Sequence, residues 1–346
     1  PPCVSFRSLA FNLEVTAKPF YTPFDCSSSI GKWTIYQHSF PKMIENWRET
    51  FGEPDLPFGI VSLFGFGPHG RDMEPEMVDI PPGTFWYAAI RDAQFRTYRS
   101  VPNTGLIATW DLGDTAYIHP ARKRGVGQRA ARWALAKVYN KPVTHTAPVY
   151  REMKIEGNTV KLYFDVDPQT QEGRKDDKVV WWLDYPISRE GKEYRGFVIA
   201  GQDRHFYPAK ARRSKEPGCL EVWSEHVPSP AAVRFGWAGF PDANVIGPDH
   251  LPVHPFRTDD WALFEDPPYD KDSPDRQVWN QKLSEKKEQA ERWTWQRKLQ
   301  ETRSMIAELE RAAGKYVSEE AQEQWRAKAE QTSSLLSDLE SALTRE

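Results

Sequence analysis

The chain has 346 residues, a formal net charge of −3, a pI near 6.3 and a mean hydropathy of −0.69. This near-neutral balance gives no general attraction for nucleic acid or anionic lipid, and no run approaches the roughly 18 to 20 apolar residues of a membrane helix, so neither is an expected partner. Three cysteines, Cys3, Cys26 and Cys219, cannot build a disulfide framework and lack zinc-site spacing, which leaves the compartment undecided.

The chain opens at Pro1-Pro2 without an initiator Met, which reads as a removed leader or a missing start. Ala10–Val15 reads as a strand, followed by a loop through Cys26 and Ser27–Ser29. From Phe40 to Phe51, Met43, Ile44, Trp47 and Phe51 recur at helical spacing, and Gly52 stops the helix. Phe58–Phe64 is a continuous apolar run suited to a buried parallel strand. A Gly- and Pro-rich loop fills 68–83, a helix spans about Thr84–Tyr98, and Leu106–Trp110 reads as another strand. Pro120 suits the first turn of a helix that carries Val126, Ala130, Trp133, Ala134 and Val138 on one face. Alternating strands and helices predict an α/β domain over 1–146.

The middle third changes character. Thr159–Val166, Val179–Leu183, Arg195–Ala200 and Cys219–Trp223 are short β-type runs, predicting an antiparallel β-sandwich over 147–260. Lys210, Arg212, Arg213 and Lys215 read as a solvated turn, and His250 and His254, separated by Pro252, as a surface loop without metal-binding geometry. The 14 Trp, 13 Tyr and 18 Phe suit sugar stacking but are expected mainly to fill β-layer cores. An acidic, proline-rich linker spans 261–274. Over 275–346, two four-three stripes, Trp295 to Ala313 and Trp325 to Leu343, flank Gly314 and predict an antiparallel helical hairpin of coiled-coil type. The same stripes offer a route to a homo-oligomer.

The stretch from Asn103 to Lys123, NTGLIATWDLGDTAYIHPARK, carries the chemistry. A strand ends before Asp111, a glycine-containing loop holds Asp114, and His119 precedes a helix. Carboxylates and an imidazole therefore gather at the C-terminal edge of a parallel sheet, where open α/β folds bind ligands. A histidine oriented by a carboxylate can take a proton from a hydroxyl and return it to a leaving group.

Asp111-Leu112-Gly113-Asp114, Ile118-His119-Pro120, Lys123 and Val126-Gly127-Gln128-Arg129 resemble a block of the sialate O-acetylesterase family. Met43-Ile44 with Trp47-Arg48, Pro57-Phe58-Gly59, Arg91-Asp92-Ala93-Gln94, Phe197–Asp203, Pro230–Trp237 and Pro255–Asp259 resemble further family pieces in the same order. Over roughly residues 38–260, the chain thus resembles the C-terminal part of a sialate O-acetylesterase-like SGNH hydrolase. The resemblance implies a partial SGNH-type sheet, hydrolysis of acetyl esters on carbohydrates by a serine nucleophile with no cofactor and no metal, and a periplasmic or extracellular setting. It makes His119 the general base. The acid commonly stands three residues earlier, where this chain has Ala116, so Asp114 and Asp111 are the candidates to orient His119, with Asp114 preferred. Arg91 and Gln94 are candidate substrate contacts, or else an ordinary salt bridge and helix cap. The family's Gly-Gln-Ser-Asn nucleophile block and its Gln-Gly-Glu block do not occur. Ser27–Ser29 lack the buried strand that a Gly-Asp-Ser block would follow. Two expectations remain: part of an esterase whose serine lies outside this chain, or a non-catalytic relative that binds glycans or serves as a scaffold.

Overall fold

The computed structural model describes residues 10–11, 33–66, 86–114, 117, 119, 121–165, 194–247, 250–263, 272–316 and 326–337. Ser27–Ser29, the loop at 68–83 and the expected strand Val179–Leu183 lie outside them. The chain divides into a unit spanning Pro1–Tyr269 and a second spanning Asp270–Glu346.

In the first unit, β1 (Ala10–Phe11), β2 (Phe58–Val61) and β3 (Thr104–Ile107) form a parallel sheet in the order β1-β2-β3. All of β2 is buried, as its apolar run requires. Helix α1 (Trp33–Phe51) buries Tyr36, Phe40 and Ile44, one every four residues. Gly52, at φ +67°, ends it. Gly52 N–H donates to Glu49 O and Glu53 N–H to Arg48 O, the paired closing bonds of a left-handed C-terminal cap. Helix α2 (Trp86–Ser100) follows, and helix α3 (Lys123–Lys137) lays Trp133 across the sheet, where a Cβ on Gly105 would collide with its indole. Helix α3 begins at Lys123 with Arg122 as its cap, and Pro120 lies outside the described residues.

Two antiparallel four-stranded sheets complete the unit. One orders β4 (Val149–Glu156), β5 (Thr159–Asp165), β9 (Cys219–Trp223) and β8 (Lys210–Arg213) as β4-β5-β9-β8. The other orders β11 (Phe256–Arg257), β10 (Ala232–Phe235), β6 (Phe197–Ala200) and β7 (Phe206–Pro208) as β11-β10-β6-β7. Val160, Leu162 and Val222 of the first sheet join Ile199, Val233 and Phe256 of the second in one hydrophobic cluster. That cluster also takes in Tyr36, Ile44, Phe58 and Phe95, so the core runs unbroken across residue 146. Lys210–Arg213 is an edge strand rather than a turn. Its cations pair with Glu225 and Glu221, and a charged edge of this kind discourages pairing with another chain.

A buried ionic chain joins α2 to the β-layer. Asp92 accepts from Arg96 (2.9 Å) and Arg257 (3.0 Å), Arg257 reaches Asp259 (3.3 Å), and Asp259 accepts twice from Arg234 (2.8 and 2.9 Å). Arg234 is completely buried, with its guanidinium 4.3 Å from the Phe206 ring centre and 4.8 Å from that of Trp237. Burial alone would raise the Asp259 pKa, but the hydrogen bond and charge of Arg234, with the charge of Arg257, hold it below the usual range.

In the second unit, helix α4 (Pro274–Tyr316) runs 43 residues. Ser273 accepts from Arg276 N–H, Pro274 takes the first helical position and Asp275 the first turn, which together make a strong start signal. The helix continues through Gly314, where a break was expected. A glycine costs an interior helix only about 1 kcal/mol, too little to end so long a segment. A further helical segment spans 326–337. Leu299 and Ala329 are buried and Ile306 and Leu336 half-buried on the expected stripes, whereas Trp295 is 54% exposed.

Two outcomes follow from these contacts. Residues 1–269 expressed without 270–346 should keep their cooperative thermal transition and β-rich circular dichroism; loss of that transition would show that the first unit depends on the second. Asp259→Ala removes the carboxylate that pairs twice with the buried Arg234 guanidinium and should lower stability by about 3 to 5 kcal/mol, read as a shift in urea midpoint.

Candidate functional site

The candidate site is built from the connections leaving the C-terminal ends of β2 and β3. Beyond β2, Gly65 N–H donates to Trp110 O (3.0 Å), and Asp114 N–H donates to Gly65 O (3.2 Å). Phe66 and Asp114 form a parallel bridge. This approach leaves no room for a side chain at Gly113, where a Cβ would strike the Gly65 carbonyl. Thr109 closes the gap, donating its hydroxyl to Ser62 O while its N–H donates to Ser62 Oγ (3.1 Å) and its carbonyl accepts from Leu112 N–H (3.0 Å). The turn Trp110–Leu112 is pinned from below, because Trp110 Nε1 donates to Val253 O at 2.9 Å.

On this frame the predicted residues take up different stations. Asp111 is bound in bidentate fashion by Arg129 of α3, with both N–O distances 2.6 Å, and Arg129 also donates to Ala108 O (2.7 Å). Asp114 Oδ1 accepts from Tyr117 N–H at 3.1 Å, an interaction that folds the loop back on itself. His119 is exposed. All three stand on the connection that follows β3, and among the described residues no hydrogen bond joins the imidazole to either carboxylate.

Arg91 and Gln94 are completely buried, and their polar atoms are engaged within the protein. Arg91 donates through Nε to Leu63 O (3.0 Å), through Nη1 to Ala238 O (2.9 Å) and through Nη2 to Gly239 O. Gln94 accepts from Leu63 N–H (2.8 Å) and donates to the Tyr36 hydroxyl (3.2 Å). Here neither presents an atom to a substrate, and neither is an ordinary salt bridge or helix cap. Both fasten the connection after β2, and Arg91 adds the 238–239 loop, whose Gly239 O also accepts from Phe66 N–H (3.2 Å). Burial pushes the Arg91 pKa down to about 9, so the guanidinium remains charged near neutrality.

One residue assigned from sequence to a surface loop is instead deep in the structure. His254 is 5% exposed and stacks on Phe95 with ring centres 5.5 Å apart. Its neighbours Leu251, Pro252, Val253 and Phe256 are all buried, and that apolar run was the available signal against a surface loop. His250, exposed and at φ +59°, does lie on the surface. Among the described residues, no group of three or more His, Cys, Asp or Glu side chains is placed to hold a metal ion, and no helix is long and apolar enough to cross a membrane.

No family model matches the chain. Over 158 residues it is 28% identical to the sialate O-acetylesterases of Homo sapiens and Pongo abelii, a match covering 42% of this chain and 29% of each relative. The chain thus matches less than a third of the length of those relatives. Among solved structures, a carbohydrate acetylesterase from Xanthomonas citri is similar with a TM-score of 0.54 and 35% identity, over 65% of this chain and 46% of that one.

Burial drives the His254 pKa from 6.5 down to about 3, the larger cause being desolvation, with the nearby Arg91 charge adding to it. The folded state therefore holds this imidazole neutral while the unfolded state takes up a proton below about pH 6.5. Its contribution to stability is complete above that pH and is lost as pH falls toward about 3. The urea midpoint should drop more steeply over this window in the wild type than in His254→Phe; equal slopes would refute the assignment.

Proposed function

From the premise that this is a sialate O-acetylesterase-like chain, we propose that it supplies the histidine side of a site that hydrolyses acetyl esters on carbohydrates. The observation that carries this reading is the Asp111–His119 connection at the C-terminal edge of the parallel β1-β2-β3 sheet, in a chain 35% identical to a solved carbohydrate acetylesterase. In this reading His119 is the general base, accepting a proton from a serine hydroxyl as it attacks the acetyl carbonyl and returning it to the departing sugar oxygen. Asp114 orients the imidazole, since both Asp111 oxygens are held by Arg129. Arg91 and Gln94 are positioning residues that hold the β2 connection against Asp114. The fold is then a partial SGNH-type α/β layer followed by a β-sandwich, and the serine comes from outside these 346 residues.

A second reading has one specific observation in its favour. The exposed His119, with no hydrogen bond to either carboxylate among the described residues, suits a relative that binds acetylated glycans without turning them over.

An acetyl-ester chromophore assay separates these readings. Purified 1–346 should show no turnover above the uncatalysed rate, and a form extended upstream to include a Gly-Gln-Ser-Asn block should gain activity that His119→Ala lowers by at least about 100-fold. Activity in 1–346 itself, abolished by a serine-directed inhibitor and by His119→Ala, would overturn the missing nucleophile. An extended form that binds acetylated glycan but never hydrolyses it would favour the second reading.

A further inference from the structure

Residues 108–122 join the end of β3 to α3 and carry Asp111, Asp114 and His119. One side chain ties the two ends of this connection together. Arg129 stands in the second turn of α3 and donates back to Ala108 O (2.7 Å), directly after β3, and to both oxygens of Asp111 (2.6 Å each). The Arg129 side chain is 13% exposed and that of Asp111 30%, so salt screens the pair less than it would a surface pair. The helix that supplies the guanidinium is itself fixed. Trp133, one turn further on, is buried against Gly105, and Ala130 and Ala134 pack in one cluster with Val61 of β2 and Ile107 of β3. Arg129 therefore reaches out from a base held on the sheet.

We infer that Arg129 is a positioning residue for this connection, a clasp that fixes where the Asp111 turn stands and hence where the chain sets out toward Asp114 and His119. Three bonds from one planar group suit this role, because the fork fixes direction as well as distance, which a lysine ammonium on its flexible stem would not. Tying the ends of a loop also removes conformations from it. Releasing Arg129 should therefore loosen the turn first, at Leu112 and Asp114, while the sheets keep their own hydrogen bonds. For turnover, and only there, the inference rests on the proposed role of His119 as the base. Arg129 then touches no reacting atom and acts through Asp111.

Amide hydrogen exchange on the full chain tests the clasp without any hydrolysis. In Arg129→Gln the amides of Leu112 and Asp114, bonded to Thr109 O (3.0 Å) and Gly65 O (3.2 Å), should exchange faster. The expected increase is about 10-fold or more, as for a local opening made easier. The Phe164 amide, bonded to Gly218 O at 2.9 Å in an antiparallel sheet, should keep its rate. All three amides accelerating alike would mark Arg129 as a general support of the fold and overturn the inference, as would unchanged rates at Leu112 and Asp114. Should Arg129→Gln fail to fold, Asp111→Ala opens the clasp from its other side and should give the same local pattern. In the extended form that includes the serine, Arg129→Gln should lower kcat about 10-fold or more with KM changed by less than about 2-fold, and adding Asp111→Ala should lower it little further. An unchanged kcat would overturn the positioning role. An extended wild type that hydrolyses nothing would overturn the proposed function instead, and the exchange rates would still decide the clasp.

Discussion

Helix α2 is the member on which the rest of the first unit depends, because it buries charge rather than hydrocarbon at its centre. Arg91, Asp92, Gln94 and Thr97 are all buried in it beside Ala88, Ala93 and Phe95. A polar group buried without a partner costs more than most packing contacts return, so the placement holds only while each partner is present. The partners come from everywhere the unit must be joined. Leu63 belongs to the connection after β2, Tyr36 to α1, Ala238 and Gly239 to the loop after β10, and Arg257 to β11. The helix therefore fixes the α/β layer and the antiparallel sheets in one register. Hydrophobic contact alone, being non-directional, would tolerate several.

That arrangement reaches the candidate site through the backbone. Arg91 sets Leu63 and Gly239, Gly239 accepts from Phe66, and Phe66 pairs with Asp114. Gly65 and Gly113 make the last approach possible because each carbonyl and amide lies where a side chain would otherwise intrude. Loops that carry chemistry gain accuracy when rigid elements hold them at several points, and here Ser62, Gly65, Val253 and Arg129, all outside the loop, hydrogen-bond to it before Asp114 is reached.

Local elements were legible from the residues wherever one local rule dominated. Phe58–Val61 is buried as its unbroken apolar run indicates, Gly52 ends α1, and Trp133 with Ala130 and Ala134 faces the sheet. What periodicity does not carry is the identity of a distant partner. Arg91 sits 147 residues from Ala238, and nothing local marks its guanidinium as buried rather than solvated. The basic run Lys210–Arg213 alternates too weakly to announce a strand, and only its pairing with Cys219–Trp223 makes it one. Gly314 shows the opposite error, a local signal overruled because the helix around it supplies more than one glycine removes. For the candidate site, the sequence put Asp111, Asp114 and His119 on the connection after β3, but the hold of Arg129 on Asp111 spans 18 residues and lies on the next helix.

The Asp111–Arg129 pair bears on how the two carboxylates could share work. Arg129 is mostly shielded and engages both oxygens of Asp111 with its two terminal nitrogens, a geometry that locks the carboxylate plane. To receive an imidazole N–H as well, Asp111 would have to use a remaining lone pair in a direction set by that plane. Arg129 cannot turn aside readily, since it also donates to Ala108 O at the end of β3. Asp111 is thus suited to anchoring the turn from which the loop departs. Asp114 is three residues further along, with its backbone clamped to Gly65 and its side chain only half-buried. Its Oδ1 accepts from Tyr117 N–H, so both its main chain and its side chain are tied to the loop. In the proposed function the orienting of His119 thus falls to Asp114 because of the bidentate partner that Asp111 already has in Arg129.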